Sequence, residues 1–161
     1  ALPISFENTV IDMPRSMLIA YPHLMQDVNV AVVVTELTLA AARDTIRVLA
    51  WLRSNAQNCK VVVVANKVQN AAIEITRKDF EGTIERKIDL IVPLDVKATA
   101  QAAKLGKPLV DAVRGSKASV SIVQIAELVQ GSAAEAVEEA DSDEKTKKSM
   151  LGGFKSLLAK K

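Results

Sequence analysis

Asp12, Asn66, Lys67 and Asp95 are the residues of this sequence whose types and positions could do chemistry. Each follows a β-branched apolar run that predicts a buried strand. Parallel strands end at one edge of a sheet, where ligands of open α/β folds bind, so we expect these residues to lie together. A carboxylate there can hold Mg²⁺, directly or through water, beside a nucleotide phosphate. An amide can both donate to and accept from a purine edge.

Ordinary structural roles compete with this interpretation. Asp12 precedes Met13 and Pro14, and an Asp before a Pro often only forms a turn. Asn66 follows the run 61–65, where an Asn commonly caps the turn. Taken together, the strand ends still favour a nucleotide site. In such a nucleotide site, Asp12 would lie near the metal, and the turn Pro93-Leu94-Asp95 would flank the base.

Strand and helix patterns alternate along the chain. The predicted strands are Thr9–Asp12, Val28–Thr35, Val61–Ala65 and Asp89–Val92. The predicted helices are Leu39–Asn55, Thr76–Arg86, Val96–Leu105, Pro108–Val113 and Ser119–Val129, with a short broken helix over Ser16–Gln26. Strands separated by helices imply parallel pairing and right-handed crossovers. We therefore predict a three-layer α/β/α fold with a mostly parallel sheet.

Composition excludes several classes of site. The 161 residues are 49% hydrophobic with a net charge of +2, so there is no global case for nucleic-acid binding. Cys59 is the only cysteine and His23 the only histidine, which excludes an internal disulfide and an ordinary zinc site. We expect a cytoplasmic chain, because residues 1–20 lack the pattern of a signal peptide and no apolar run could cross a bilayer. The absence of an initiator Met suggests a processed chain or a fragment.

The character of the chain changes after Gly131. Residues 132–146 are rich in Glu and Asp, which predicts a solvated linker. Residues 147–161 are rich in Lys. Their apolar residues fall on one helical face: Met150, Leu151, Phe154, Leu157 and Leu158. Such a tail could lie on an anionic membrane surface, or it could dock on its own domain or on a partner.

Four segments carry a resemblance to a known superfamily. They are VIDMP, TELTLAAARDTIRVL, VVVVANK and IVPLD with AAKLGKPL. In this order they resemble the second half of a MinD/ParA-type P-loop ATPase. Within that superfamily the chain is most similar to the CpaE/TadZ proteins of type IVb (Flp/Tad) pilus assembly. The resemblance covers roughly Phe6–Val129, and we assign 1–131 to that domain.

The resemblance implies roles for individual residues. Asp12 would be the magnesium-proximal Asp of a D-x-P motif that includes Pro14. Asn66, next to Lys67, would contact adenine. The segment from Pro93 to Asp95 would flank the base. The residues that would lie near a dimer or partner surface are Arg43 and Asp44, to which we add Arg47 and Trp51 of the same helix.

The same resemblance implies a function for the intact protein. ATP and Mg²⁺ would bind between the two subunits of a homodimer, and hydrolysis would reset it. Such a protein would position a pilus or secretion machine at the inner membrane or the cell pole.

One part of the superfamily's pattern is missing. No glycine-rich K-G-G-x-G-K-[ST] loop occurs, and the six glycines are scattered. Without that loop no backbone N–H groups cradle the β- and γ-phosphates. We therefore expect this chain alone to bind no nucleotide tightly and to be inactive as an ATPase.

Two other functions fit the α/β pattern less well. A receiver-like or degenerate scaffold would only bind protein, but a receiver needs clustered acids before its phosphoryl-accepting Asp, and Asp12 has none. A nucleotide-dependent enzyme such as a dethiobiotin-synthetase-like ligase would not need the basic amphipathic tail.

Overall fold

β-branched runs form the strands of this protein, and the segments between them form helices. The computed structural model describes residues 8–69 and 75–131. The strands are β1 (Val30–Thr35), β2 (Lys60–Val68) and β3 (Leu90–Pro93). The helices are α1 (Arg15–Ala20), a 3₁₀ turn (Pro22–Met25), α2 (Leu39–Asn55), α3 (Arg77–Thr83), α4 (Val96–Leu105), α5 (Leu109–Ala112) and α6, which occupies 117–131.

The three strands form a parallel sheet in the order β1-β2-β3. β1 and β2 pair without interruption from Val30 opposite Lys60 to Thr35 opposite Ala65. β2 and β3 pair in register up to Ala65 opposite Ile91, and an irregularity follows before Val68 pairs with Pro93. The predicted α/β fold is confirmed.

Both faces of β2 are buried, as its continuous apolar run predicts for a strand covered on two sides. Val63 and Ala65 pack with Ala42 and Leu49 of α2 and Phe80 of α3. Their neighbours on β2 point to the opposite face, because successive side chains alternate along a strand. There, Val62 and Val64 pack with Val92 of β3 and Ala118 of α6. The sheet therefore lies between two helical layers.

Polar residues fix where the helices begin. The side chain of Thr38 accepts a hydrogen bond from the Ala41 N–H at 3.1 Å and starts α2. Asp95 accepts from the Ala98 N–H at 3.0 Å and starts α4. These caps satisfy N–H groups that have no partner within the helix. The predicted bounds of α2 and α4 are confirmed.

The predicted strand Thr9–Asp12 is wrong. Residues 8–14 have no regular secondary structure, and the side chains of Val10 and Ile11 are 92% and 60% exposed. A strand needs a neighbour that takes its backbone hydrogen bonds, and no described strand pairs with this segment. Asp12 therefore does not end a strand.

The buried faces of two helices also differ from the prediction. The apolar periodicity of α2 predicts a buried stripe of Ala42, Ile46, Leu49 and Leu52. In the structure Ile46 is exposed and the neighbouring Thr45 is buried. The periodicity of α6 predicts a buried face of Ile122, Ile125, Ala126 and Val129. In the structure Ile122 is exposed, while Ser119 is fully buried. The Ser119 hydroxyl bonds the carbonyls of Leu109 and Val113 and thereby fixes α6 on α5.

The predicted linker 132–146 and tail 147–161 lie outside the described residues. In the described part of the chain, no helix is long and apolar enough to cross a membrane.

Candidate functional site

Polar side chains gather where the three strands end. Glu36 follows β1 directly, and Asn66 and Lys67 are among the last three residues of β2. The segment 93–95 joins the end of β3 to the start of α4. We call these residues the carboxyl edge. Pairing of Thr35 with Ala65, and of Val68 with Pro93, brings the three chain segments side by side. The structure thus brings together the predicted site residues of β2 and β3.

Asn66 is held by a local hydrogen bond in the irregular part of β2. Its Oδ1 accepts from the Lys67 N–H at 2.9 Å. Lys67 has φ of 56°, a left-handed conformation that few residues other than glycine adopt. Within the described residues, the two N–H groups of the Asn66 amide make no hydrogen bond. The half-buried amide can therefore donate to a ligand, and the second lone pair of Oδ1 can accept.

An ion pair joins the ends of β1 and β2. The Lys67 Nζ lies 2.8 Å from the Glu36 Oε1. Both side chains are half-exposed, at 59% and 48%. Sequence reasoning did not identify Glu36, although its position directly after a strand was a usable signal.

The turn after β3 is fixed by backbone and side-chain bonds. The Leu94 N–H donates to the Val68 carbonyl at 3.0 Å, so this turn stays against the end of β2. The carboxylate of Asp95 is used as the cap of α4. Leu94 keeps an exposed apolar side chain at this point, which is suited to contact a flat ring. Pro93 is half-buried as the last residue of β3.

A buried hydrogen bond between two hydroxyl groups lies next to the carboxyl edge, between α2 and the end of β1. Thr45 of α2 donates to the Thr35 hydroxyl at the end of β1 at 2.9 Å. Both residues are buried. This contact fixes the N-terminal half of α2 relative to the carboxyl edge. The sequence analysis missed it because it assigned the buried stripe of α2 to apolar residues.

Asp12 and Pro14 lie in the segment before α1. Both side chains are exposed, and no hydrogen bond or ion pair joins Asp12 to any described residue of the carboxyl edge. Met13 packs instead near Met25 and Leu52, on the α2 side of the sheet. The described residues also contain no group of three acidic, His or Cys side chains that could hold a metal. A magnesium ion near Asp12 would therefore depend on one carboxylate and water molecules.

The predicted interface residues lie on α2 but in different environments. Asp44 pairs with Arg15 of α1 and lies 3.6 Å from Arg47. Arg43 is exposed. Trp51 is half-buried and packs against the cluster of Met25, Leu52 and Ala56. Asp44 thus serves to attach α1, while Arg43 and the largely exposed side chain of Arg47 lie on the outer face of α2.

His23 and Cys59 do not form a catalytic pair. The His23 ring is exposed and lies edge-on to the Tyr21 ring, with 6.0 Å between centroids. Burial raises the pKa of the Cys59 thiol, which keeps it in the unreactive protonated form.

Comparison with known proteins identifies the fold. No family model matches the sequence, and no curated protein matches it. Among solved structures it is similar to a ParA family ATPase from Chlorobium tepidum, with a TM-score of 0.52 and 20% identity over 60% of this chain and 39% of that one. The MinD cell-division ATPase of Pyrococcus furiosus gives a TM-score of 0.50 and 21% identity over 69% of this chain and 43% of that one.

The septum site-determining protein MinD of Pyrococcus horikoshii, complexed with Mg-ADP, gives a TM-score of 0.56 and 18% identity. The match covers 67% of this chain and 44% of that one, so the chain spans less than half the length of each of the three proteins. The chain therefore has the fold of one part of a ParA/MinD-type ATPase.

Proposed function

We propose that the carboxyl edge recognises the adenine base of a nucleotide. The observation that carries this proposal is the Asn66 amide, fixed by the Lys67 N–H with both of its own N–H groups available. Such an amide can donate to adenine N1 and accept from N6. Leu94 packs against the ring face, and the backbone between Pro93 and Asp95 borders its edge. The fold shared with the Mg-ADP complex of an archaeal MinD supports the same assignment.

The phosphates and the metal need further groups. Asp12 holds Mg²⁺ through water in this proposal, with Pro14 setting the direction of the chain beside it. The sequence has no glycine-rich phosphate loop. Tight binding of ATP, and its hydrolysis, are therefore properties of an intact ATPase in which such a loop is present.

The role of that ATPase is localisation and assembly. The segments VIDMPR and TELTLAAARD, with the lysine-rich tail, support a CpaE/TadZ-like factor that positions a type IVb pilus or a related secretion machine. The outer face of α2 is its dimer or partner surface: Arg43 and Arg47 are exposed there beside Leu39 and Ile46. Mixed Arg and apolar surface of this kind is typical of protein interfaces.

The tail attaches the protein to anionic membrane at the inner membrane or cell pole. The apolar face from Met150 to Leu158 enters the headgroup region, and each Lys near the surface adds about 1 kcal/mol. Liposome flotation tests this. Binding should require anionic lipid, weaken with salt and vanish in Phe154→Glu. If the wild-type chain does not bind anionic liposomes at low salt, the membrane proposal is wrong and the tail is assigned to docking on protein instead.

Base recognition is tested by NMR titration of the ¹⁵N-labelled chain with adenosine and, separately, guanosine. Adenosine should shift the amide signals of 66–67 and 93–95 more than guanosine does. Asn66→Ala should abolish these shifts. Asn58→Ala is the matched control, because Asn58 is an exposed Asn at the opposite end of β2. The proposal is wrong if adenosine leaves the carboxyl edge unshifted, or if both variants weaken binding equally.

A further inference from the structure

Lys67 forms an ion pair with Glu36, which gives it a role other than contact with a phosphate. Its ammonium lies 2.8 Å from the Glu36 carboxylate. Nothing else in the described part of the chain bonds this ammonium. Glu36 directly follows β1 and Lys67 lies near the end of β2, so the pair joins the ends of these two strands.

The backbone of Lys67 is held in a conformation that costs free energy. A left-handed φ of 56° is disfavoured for a residue with a long side chain, and it persists only where the surroundings enforce it. Here it coincides with the irregular pairing between Ala65 and Val68. The ion pair to Glu36 is the contact that the Lys67 side chain gains in this conformation.

The orientation of Asn66 depends on the same backbone unit. The Lys67 N–H that fixes the Asn66 Oδ1 at 2.9 Å belongs to the residue with the left-handed conformation. This N–H lies in the peptide plane between Asn66 and Lys67. Because the flanking residues are paired in the sheet, Lys67 can return to a negative φ only if this plane rotates, which changes the ψ of Asn66 together with the φ of Lys67. That rotation would turn the N–H away from Oδ1, and the amide would then be free to rotate. The chain of contacts therefore runs from Glu36 through Lys67 to Asn66.

We propose that Glu36 is a positioning residue that fixes the Asn66 amide by holding Lys67 in its left-handed conformation. Its consequence for base selectivity rests on the proposed function, whereas the effect on conformation does not. A fixed amide presents its donor and acceptor in one order, which fits adenine. Guanine, which presents a donor at N1 and an acceptor at O6, needs the flipped amide and the loss of the Lys67 N–H bond.

The conformational part is tested by NMR on the full chain. A left-handed residue gives a strong cross-peak between its own amide and α protons, and the Asn66 side-chain amide gives its own signals. In Glu36→Met the Lys67 cross-peak should weaken and the two Asn66 side-chain signals should converge. Glu36→Gln keeps an acceptor oxygen and should retain part of the effect. Glu127→Met is the matched control, since it removes an exposed carboxylate of α6 that does not belong to the carboxyl edge.

The Lys67→Gly variant serves as a second background, which separates a positioning role of Glu36 from a general effect of its charge. Glycine adopts positive φ without steric cost, so Lys67→Gly should keep the Asn66 signals close to wild type. In that background, Glu36→Met should have no further effect, because the residue through which Glu36 acts is no longer restrained by it. The inference is overturned if Glu36→Met leaves the Lys67 cross-peak unchanged, or if it perturbs Asn66 equally with and without Lys67.

Adenosine titration of the same proteins measures the consequence. Exposed ion pairs change an equilibrium by up to about five-fold, so Glu36→Met should weaken adenosine binding by about that factor and reduce the preference over guanosine. If wild type binds no adenosine, base recognition fails, and the positioning role is decided by the Lys67 cross-peak alone. If adenosine binds and Glu36→Met changes neither affinity nor selectivity, the proposed consequence for the base is wrong.

Discussion

The hydroxyl of Thr45 donates a 2.9 Å hydrogen bond to the hydroxyl of Thr35, and both residues are buried between α2 and the end of β1. This polar contact joins the N-terminal half of α2 to the end of β1, directly before Glu36. A buried hydroxyl that loses its partner retains the cost of desolvation. The contact is therefore both a support of the carboxyl edge and a point of weakness.

Thr45→Val should destabilise the fold by about 1–2 kcal/mol, because the Thr35 hydroxyl is left without its donor while the shape is nearly kept. The double variant Thr35→Val/Thr45→Val should recover part of that loss, since both polar groups are then absent. Urea unfolding measures each free energy. Thr99→Val, at an exposed position of α4, is the control. Additive effects of the two buried substitutions would show that the hydroxyls do not depend on each other.

The contacts of the Glu81 carboxylate should make the stability of the fold depend on pH. The Ile88 N–H, then the Arg77 and Lys87 side chains, lower the pKa of this carboxyl to about 2 from an ordinary value of 4.5. Because the folded pKa is lower, the stabilisation is fully present above about pH 4.5 and is lost as pH falls toward 2. The contacts fasten α3 to the start of β3, so acid should loosen that junction first.

The urea midpoint followed from pH 6 to 3 checks this expectation. Glu81→Gln should have a lower midpoint at pH 6 and a shallower decline with acid than wild type. Glu85→Gln is the matched control, because Glu85 is an exposed carboxyl in the turn that follows α3. If both variants decline with acid as steeply as wild type, the carboxyl of Glu81 does not carry this part of the pH dependence.

Local patterns predicted α2 and α4 to the residue, and Gly106, which ends α4 with a φ of 58°, was part of that prediction. The structure adds the caps Thr38 and Asp95, which are local signals of the same kind. The end of β2 was harder. The irregular pairing between Ala65 and Val68 and the left-handed Lys67 depend on contacts with neighbouring segments, and no propensity of Lys indicates them. The segment Thr9–Asp12 failed for a related reason: its β-branched residues favour a strand, but strand formation depends on a partner.

The site was predictable to the same extent. Asn66 and the 93–95 turn follow from strand ends in one parallel sheet. Glu36 and Thr45 act only through partners on other elements, namely Lys67 and Thr35, and a single sequence contains no record of these pairings. Asp95 shows the converse, because its carboxylate looks like a ligand group and serves as a helix cap.

Asp12 and Asp95 should respond differently to removal of the carboxylate. Asp95→Ala removes the cap of α4 and should cost about 1 kcal/mol of unfolding free energy. Asp12→Ala changes an exposed residue outside any strand or helix and should fall within about 0.5 kcal/mol of wild type. Urea unfolding of both variants gives the comparison. A large loss with Asp12→Ala would assign that carboxylate a structural role in place of the proposed metal role.

Phosphates should add little to the affinity of this chain for adenosine. Tight binding of a triphosphate needs converging N–H groups and a free Lys, whereas this sequence has no phosphate loop and Lys67 is paired with Glu36. We expect isothermal titration with Mg-ATP to give a Kd of about 1 mM or weaker, equivalent to about 4 kcal/mol. Repeating the titration without Mg²⁺, and with the Asp12→Asn variant, measures what the proposed metal group contributes. The Kd values of wild type and Asp12→Asn should differ little, since few other metal ligands are present. A micromolar Kd that depends on Mg²⁺ and on Asp12 would contradict the expectation, because it would require a complete phosphate site within these 161 residues.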